Sequence, residues 1–217
     1  MITIRTIAQL RAALAVERET GRSIGLVPTM GALHDGHLSL IRRATAQCDA
    51  VVVSLFVNPA QFDDARDLND YPRDEDRDAR LATQLGVAYL FAPSPEEIYP
   101  HGFATTVHVQ GVTAGLEGVH RGPGHFDGVT TVVAKLLNIV APDRAYFGRK
   151  DAQQVATIAR LVRDLDLSVA IEVCPTVRAS DGLALSSRNA LLSPPERERA
   201  TALPRALAVV ARAVAAG

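Results

Sequence analysis

Two histidines three residues apart are the side chains of this 217-residue chain whose types and spacing point most directly to chemistry. His34 and His37 follow a short apolar run at residues 24–27, typical of a buried strand, and precede apolar residues at near-helical spacing. Residues three apart on a first helical turn face the same way, so both imidazoles can donate hydrogen bonds to one phosphate. The unpaired N–H groups and the dipole of a helix N-terminus favour an anion at the same place.

Glycines between the strand and the helix strengthen this interpretation. Gly31 and Gly36 let the backbone approach a bound anion closely, so residues 28–37, which we call the histidine turn, are predicted to bind phosphate. A metal site is a weaker alternative, because a metal needs a third ligand and none is evident nearby. A structural role at the helix mouth is the other alternative.

Polar side chains also follow the nearly continuous apolar run of residues 50–57, which is typical of a parallel strand covered on both faces. Pro59 stops that strand, and Asn58 and Gln61 come at its carboxyl end. Side chains there point into the ligand crevice of an open α/β sheet, so both residues are site candidates. Turn chemistry is the favoured alternative for Asn58.

The His-x-Gly-His motif at 34–37 resembles the signature of the nucleotidyltransferase superfamily, whose members are related to class I aminoacyl-tRNA synthetases. The flanking Val-Pro-Thr-Met-Gly at 27–31 narrows the resemblance to the pantothenate synthetase family. This resemblance implies ATP-dependent condensation of pantoate and β-alanine through a pantoyl adenylate, with release of AMP and pyrophosphate. It also implies a homodimer, and Mg²⁺ that bridges phosphates rather than occupying a protein cage.

A second segment, residues 148–154, resembles the phosphate-and-substrate loop of the same family. Lys150 on a tight turn supplies a point charge for a triphosphate, and Gln154 can hydrogen-bond a hydroxyl or a carboxylate. An acid and an aromatic residue are usual in the family at the positions of Arg149 and Ala152.

A third segment, residues 177–189, contains Leu-Ser-Ser-Arg at 185–188 and resembles the family's counterpart of the synthetase K-M-S-K-S loop. Two hydroxyls and a guanidinium can hold the β- and γ-phosphates as pyrophosphate leaves. Residues 117–126 resemble a further family loop, with an extra glycine between Arg121 and Pro123. His125 in that loop is either a structural hydrogen-bonder or a catalyst.

The resemblance assigns the site residue by residue. Catalysis is expected from His34, His37, Lys150, Ser186, Ser187 and Arg188. ATP contacts are expected from Met30, Gly31, Ala32, Leu33, His34, Asp35, Gly36, His37, Gly148, Arg149, Lys150, Asp151, Val177, Leu185, Ser186, Ser187 and Arg188. Pantoate is expected at Gln61 and Gln154, and β-alanine near Gln61; no protein-held metal site is expected.

Strand and helix patterns alternate along the chain and predict a Rossmann-like open parallel sheet with helices on both faces. Residues 1–175 are predicted to form the nucleotide- and pantoate-binding domain. Residues 176–217 are predicted to begin a smaller C-terminal domain that carries the Ser-Ser-Arg loop and ends early. Residues 105–109 are expected to form an edge strand or connector, and the last segment a helix kinked at Pro204.

Composition excludes several other classes. The chain has 23 basic and 24 acidic residues and a net charge of −1, which argues against broad nucleic-acid binding. Two cysteines make no disulfide framework, and no apolar run reaches membrane-spanning length, so a cytoplasmic protein is expected. The acid- and arginine-rich stretch at 63–80 is predicted to be a solvated surface, and the resemblance favours a flexible wall there.

Three other functions stay open. A nucleotidyltransferase with a different acceptor would keep the histidine motif but gives no reason for Gln61 and Gln154. A truncated, inactive nucleotide-binding module is the second alternative. A metal-dependent hydrolase ranks last.

Overall fold

A six-stranded, all-parallel sheet forms the centre of the computed structural model, which describes residues 1–216, with only the backbone described at Pro123. The strands are β1 (Ile2–Ile4), β2 (Ile24–Thr29), β3 (Ala50–Leu55), β4 (Tyr89–Phe91), β5 (Arg144–Gly148) and β6 (Ala170–Cys174). Their order across the sheet is β1-β4-β3-β2-β5-β6. The Rossmann-like prediction is confirmed, and the short edge strand β1 is an addition that the sequence pattern did not reveal.

Helices connect the strands and cover both faces of the sheet. They are α1 (Ile7–Glu19), α2 (Asp35–Gln47), α3 (Ala65–Asp70), α4 (Glu75–Gln84), α5 (Pro95–Ile98), α6 (Glu117–Arg121), α7 (Pro123–Val140), α8 (Ala152–Asp164), α9 (Pro194–Ala200) and α10 (Ala202–Ala215). Short 3₁₀ turns occur at Pro59–Gln61, Arg149–Asp151 and Ser187–Leu191.

Successive residues of the central strands pack into two separate hydrophobic cores. Leu26 and Val52 belong to one core, together with residues of α1, α7 and α8. Val27 and Val53, one position further along the same strands, belong to the other core, with residues of α2 and α4. This period of two is the side-chain alternation of a β-strand, and burial on both faces explains the continuous apolar runs.

The strand order reverses at β2. From β2 the chain continues to β3 and β4 on one side, and later to β5 and β6 on the other. Open α/β sheets bind their ligands at such a switch point, outside the carboxyl ends of the strands. The histidine turn follows β2 and residues 148–151 follow β5, so the topology brings two of the predicted segments to one edge.

Two local predictions differ from the structure. Residues 117–126 are not a loop: α6 and the start of α7 occupy them, separated at Gly122, whose φ of 82° breaks the helix. For residues 105–109, expected as an edge strand or a connector, the connector is confirmed. Pro204 lies in the first turn of α10, where no intrahelical N–H is needed, so the segment is two helices rather than one kinked helix.

The residues after the sheet form an extension that lines the same edge. β6 ends at Cys174, and the predicted division between residues 175 and 176 falls at that point. Whether the later residues belong to a second domain stays a prediction. Within residues 1–216, no helix has both the length and the apolar character needed to cross a bilayer.

Candidate active site

One cavity at the carboxyl edge of the sheet contains residues from all three predicted segments. Fourteen of the predicted site residues line it: Met30, His34, Gly36, His37, Gln61, Gly148, Lys150, Asp151, Gln154, Val177, Leu185, Ser186, Ser187 and Arg188. The segments are far apart in sequence, and the parallel sheet brings them together. Which of these residues contact ATP or pantoate stays a prediction.

The other five predicted residues lie beside the cavity without lining it. The side chain of Leu33 is buried in the core between α2 and the sheet. Asp35 and Arg149 are exposed at the starts of α2 and of a 3₁₀ turn. Gly31 and Ala32 form the bend of the histidine turn. Their assignment to ATP binding stays a prediction.

Helix capping fixes the orientation of both imidazoles. His34 is the N-cap of α2, and its Nδ1 accepts from the backbone N–H of Gly36 at 3.1 Å. The Nδ1 of His37 accepts from the backbone N–H of His34 at 3.4 Å. Because both Nδ1 atoms are acceptors, each neutral ring carries its proton on Nε2. The two rings, with centroids 4.1 Å apart, thus offer a pair of Nε2–H donors.

The surroundings of the histidines keep both rings uncharged near neutral pH. Burial lowers the pKa of His37 to about 3, and His34 and the positive charge of Lys150 act in the same direction. Burial and Lys150 also lower the pKa of His34. Both imidazoles are therefore neutral, and the positive charge beside them is that of Lys150.

Asn58 lines the cavity, and its side chain supports the neighbouring glutamine. Its buried side-chain amide donates to Gln61 Oε1 at 3.1 Å and to the carbonyl oxygen of Gly128 at 3.0 Å. Its Oδ1 accepts from Ala60 N–H and from the hydroxyl of Tyr99. These contacts agree with the turn chemistry favoured for Asn58, and they fix the position of Gln61.

The second segment places its lysine and one of its two glutamines at the cavity. Lys150 Nζ lies 3.1 Å from Asp151 Oδ1, and both residues line the cavity with Gln154. Gln153 is buried and bonds to the backbone around residues 112–117 instead. The sequence pattern gave no sign of this difference between the two glutamines.

The serine–arginine segment contacts the histidine turn directly. The hydroxyl of Ser187 donates to the carbonyl oxygen of Ala32 at 3.2 Å. Arg188 forms a forked ion pair with Asp67, with nitrogen–oxygen distances of 2.7 and 3.1 Å, above the ring of Tyr71. The fork that is predicted to hold phosphate thus already binds an anionic group.

The cavity also includes residues outside the predicted set. Glu117 and Arg121 line it, with Arg121 Nε 3.9 Å from the Glu117 carboxylate. His125 lines it as well, and its Nδ1 lies 2.8 Å from the carbonyl oxygen of Gln61, as expected for a structural hydrogen-bonder. In the sequence, the polar character of residues 117–126 was the signal that could have identified these cavity residues.

Carboxylates in the cavity decide whether a magnesium ion would fit. Across residues 1–216 there is no group of three or more His, Cys, Asp or Glu side chains placed to hold a metal ion. Glu117 and Asp151 line the cavity, and Asp151 lies beside Lys150. Mg²⁺ in nucleotide sites takes one or two carboxylates and fills its other positions with phosphate oxygens and water. The residues present fit such an ion.

Comparison with known proteins identifies the family. The chain matches the family model for pantoate-beta-alanine ligase over residues 2–216. The pantothenate synthetase of Cereibacter sphaeroides is 57% identical over 214 residues, which cover 99% of this chain and 76% of that relative. The chain belongs to the pantoate–β-alanine ligase family.

Solved structures agree with membership of the pantoate–β-alanine ligase family. The crystal structure of pantothenate synthetase from Thermus thermophilus matches with a TM-score of 0.90 and 54% identity, over 95% of this chain and 73% of that chain. A pantoate-beta-alanine ligase from Francisella tularensis, crystallised with Beta-gamma ATP and β-alanine, matches with a TM-score of 0.88 and 42% identity, over 94% and 78%. The fold of the chain is therefore the fold of this family.

Close packing at Gly128 predicts that α7 controls the position of Gln61. A Cβ added at Gly128 would lie 2.2 Å from the carbonyl oxygen of Ala60 and 2.7 Å from the nitrogen of Gln61. Gly128→Ala should therefore displace Gln61 and lower kcat/KM for pantoate about tenfold or more, since small displacements of positioning groups are costly. Gly124→Ala, on the same helix, meets only an ordinary contact at 3.6 Å and is the matched control. Equal kcat/KM values for the two variants would contradict the assignment.

The lowered pKa of His37 predicts a pH dependence of stability. The folded pKa of about 3 lies below the ordinary 6.5, so the folded chain binds fewer protons than the unfolded chain between these values. The contribution to the free energy of unfolding is thus present above pH 6.5 and lost as the pH falls towards 3. Urea unfolding between pH 6.5 and 3 should show that the free energy of unfolding falls less for His37→Ala than for the parent chain. His101→Ala removes an exposed histidine and should leave the loss unchanged.

Proposed function

We propose that the chain condenses pantoate with β-alanine in two steps driven by ATP, releasing AMP and pyrophosphate. The observation that carries this function is the family match over residues 2–216. The shared cavity of the three segments supports it, because that cavity combines donors for phosphate with amides for a polar acid. The nucleotide and the amine also appear with the Francisella tularensis relative, crystallised with Beta-gamma ATP and β-alanine.

In the first step, the pantoate carboxylate attacks the α-phosphorus of ATP, and the bond to the β-phosphate oxygen breaks. Negative charge grows on the oxygens of the α-phosphate as the attack proceeds. The Nε2–H groups of His34 and His37 are preorganised donors for this charge, and they need no proton transfer to act. Lys150 would neutralise the triphosphate as pyrophosphate leaves.

The serine–arginine segment would bind the leaving group. Ser186 and Ser187 supply hydroxyl donors, and Arg188 supplies a forked guanidinium that stays charged at every relevant pH. Asp67 holds that fork in place in the free chain. A phosphate that replaces the Asp67 carboxylate would meet the same geometry.

In the second step, the amine of β-alanine attacks the acyl carbon of the pantoyl adenylate, an amide bond forms and AMP leaves. Gln61 and Gln154 would hold the pantoyl group, with Gln61 also near β-alanine. Holding both reactants in one cavity turns a bimolecular step into a unimolecular one, which is the main source of rate here.

Magnesium and assembly complete the proposal. Asp151 would hold Mg²⁺ together with the phosphates, and the ion would neutralise part of their charge. The family resemblance further supports a homodimer and a cytoplasmic location, and the balanced charge argues against nucleic acid as a partner.

Release of AMP and pyrophosphate from ATP tests the function directly. We expect pyrophosphate to depend on pantoate, and AMP with pantothenate to appear in turnover once β-alanine is added. Pyrophosphate release that another acceptor supports, and pantoate does not, would indicate a different nucleotidyltransferase. ATP binding without turnover would indicate a binding module.

Variants of the phosphate-binding residues test the assigned roles. His34→Ala and Lys150→Ala should each lower kcat about 10²–10³-fold, the cost of removing one donor to developing charge. Arg160→Ala is the matched control, because this exposed arginine on α8 lies outside the cavity. Normal turnover by either cavity variant would contradict its role.

A further inference from the structure

A carboxylate from α4 is buried against the histidine turn. Asp78 is only 1% exposed, although it belongs to the acidic stretch that the sequence predicts to be solvated. Its Oδ2 accepts from the backbone N–H of Ala32 at 2.7 Å, and its Oδ1 accepts from that of Leu33 at 2.8 Å. Both carboxylate oxygens are therefore used by consecutive residues of the turn.

The backbone of the turn has the shape that an anion requires. Gly31 and Ala32 have φ values of 83° and 51°, so two successive residues lie in the left-handed region. In this turn the successive N–H groups of Ala32 and Leu33 are directed at one carboxylate, and such N–H groups in a turn form a concavity that binds negative charge. Ala32 is strained in this conformation, and such strain persists only where the surroundings hold it. The Asp78 carboxylate fills the concavity.

Two other side chains donate hydrogen bonds to the backbone carbonyl oxygens of the same two residues. Arg77, next to Asp78 on α4, donates to the carbonyl oxygen of Leu33 at 2.8 Å. Ser187 donates to the carbonyl oxygen of Ala32. Asp78 already accepts from the N–H groups of Ala32 and Leu33, so both are bonded within the protein.

We propose that Asp78 is a positioning residue that sets the angle between β2 and α2 and thereby the direction of both Nε2–H groups. The proposal rests on the proposed function, since the value of this alignment lies in phosphate transfer. Among the residues that the structure describes, Asp78 is not one of those that line the cavity. It acts through the backbone of the histidine turn alone. His34 follows directly after the two residues that Asp78 holds, so movement at Ala32 passes to the N-cap of α2.

The substitution Asp78→Asn tests this role with almost no change of shape. One of the two acceptors becomes an NH₂ group that faces a backbone N–H, which leaves two donors without an acceptor in a buried place. We expect kcat for pantoate-dependent pyrophosphate release to fall about 10–100-fold, because misplacement by about 1 Å costs up to 10² in rate. KM for ATP should change less than kcat.

Asp74→Asn is the matched control. Asp74 caps the same helix by accepting from Arg77 N–H at 3.0 Å, and it does not bond to the histidine turn. Both variants weaken α4, so both should lower the thermal midpoint. Only Asp78→Asn should lower kcat and shift the ¹⁵N resonances of the His34 and His37 rings.

Two results would overturn the proposal. The first is that Asp78→Asn keeps the parental kcat and the parental ring resonances. The second is that Asp74→Asn, with the same thermal midpoint as Asp78→Asn, shows the same fall in kcat. If Asp78→Asn does not fold, Arg77→Ala decides. It removes the bond to the carbonyl oxygen of Leu33 and the ion pair with Asp78, whose Oδ1 lies 3.7 Å from Arg77 Nη1, and it should lower kcat in the same direction. Parental kcat in Arg77→Ala would then reject the proposal. The ring resonances are measured without substrate, so they test the positioning even if the parent chain shows no ligase turnover.

Discussion

The hydrogen bonds between Asp78 and two consecutive backbone N–H groups are the contacts on which the site depends. They keep a left-handed bend at Gly31 and Ala32, where the backbone would otherwise relax. That bend sets the start of α2, and the start of α2 sets the tautomer and direction of two imidazoles. A buried carboxylate thus fixes donors that themselves stay neutral.

Topology supplies the rest of the cavity. The strand order reverses at β2, so loops that follow β2, β3, β5 and β6 open onto one edge of the sheet. Each loop contributes a different chemical group: imidazoles after β2, an amide after β3, a lysine after β5 and a forked guanidinium after β6. Rigid strand ends hold these groups, which suits a reaction that depends on alignment and charge more than on covalent catalysis.

Much of this arrangement could be predicted from sequence because it is local. Apolar runs located the central strands β2 and β3, and the motifs around His34, Lys150 and Arg188 indicated segments that the structure brings together. Long-range contacts could not be predicted in this way. Asp78 looks like a surface acid on a polar helix, and its burial depends on a turn 45 residues earlier in the chain. The ion pair of Asp67 with Arg188 spans 121 residues.

Local expectation also failed where two signals competed. Glycines in residues 117–126 indicated a loop, but Gly122 breaks the chain between two helices, and the proline after it occupies the first turn of α7. Strand β1 is only three residues long and carried too few alternating residues to be detected.

Transfer of oxygen from pantoate to the nucleotide is the most direct test of the central claim that one cavity brings a carboxylate to the α-phosphorus of ATP. Pantoate labelled with ¹⁸O in its carboxylate, turned over with ATP and β-alanine, should yield AMP that carries one ¹⁸O atom, measured by mass spectrometry. Pantothenate formed alongside unlabelled AMP would contradict the account.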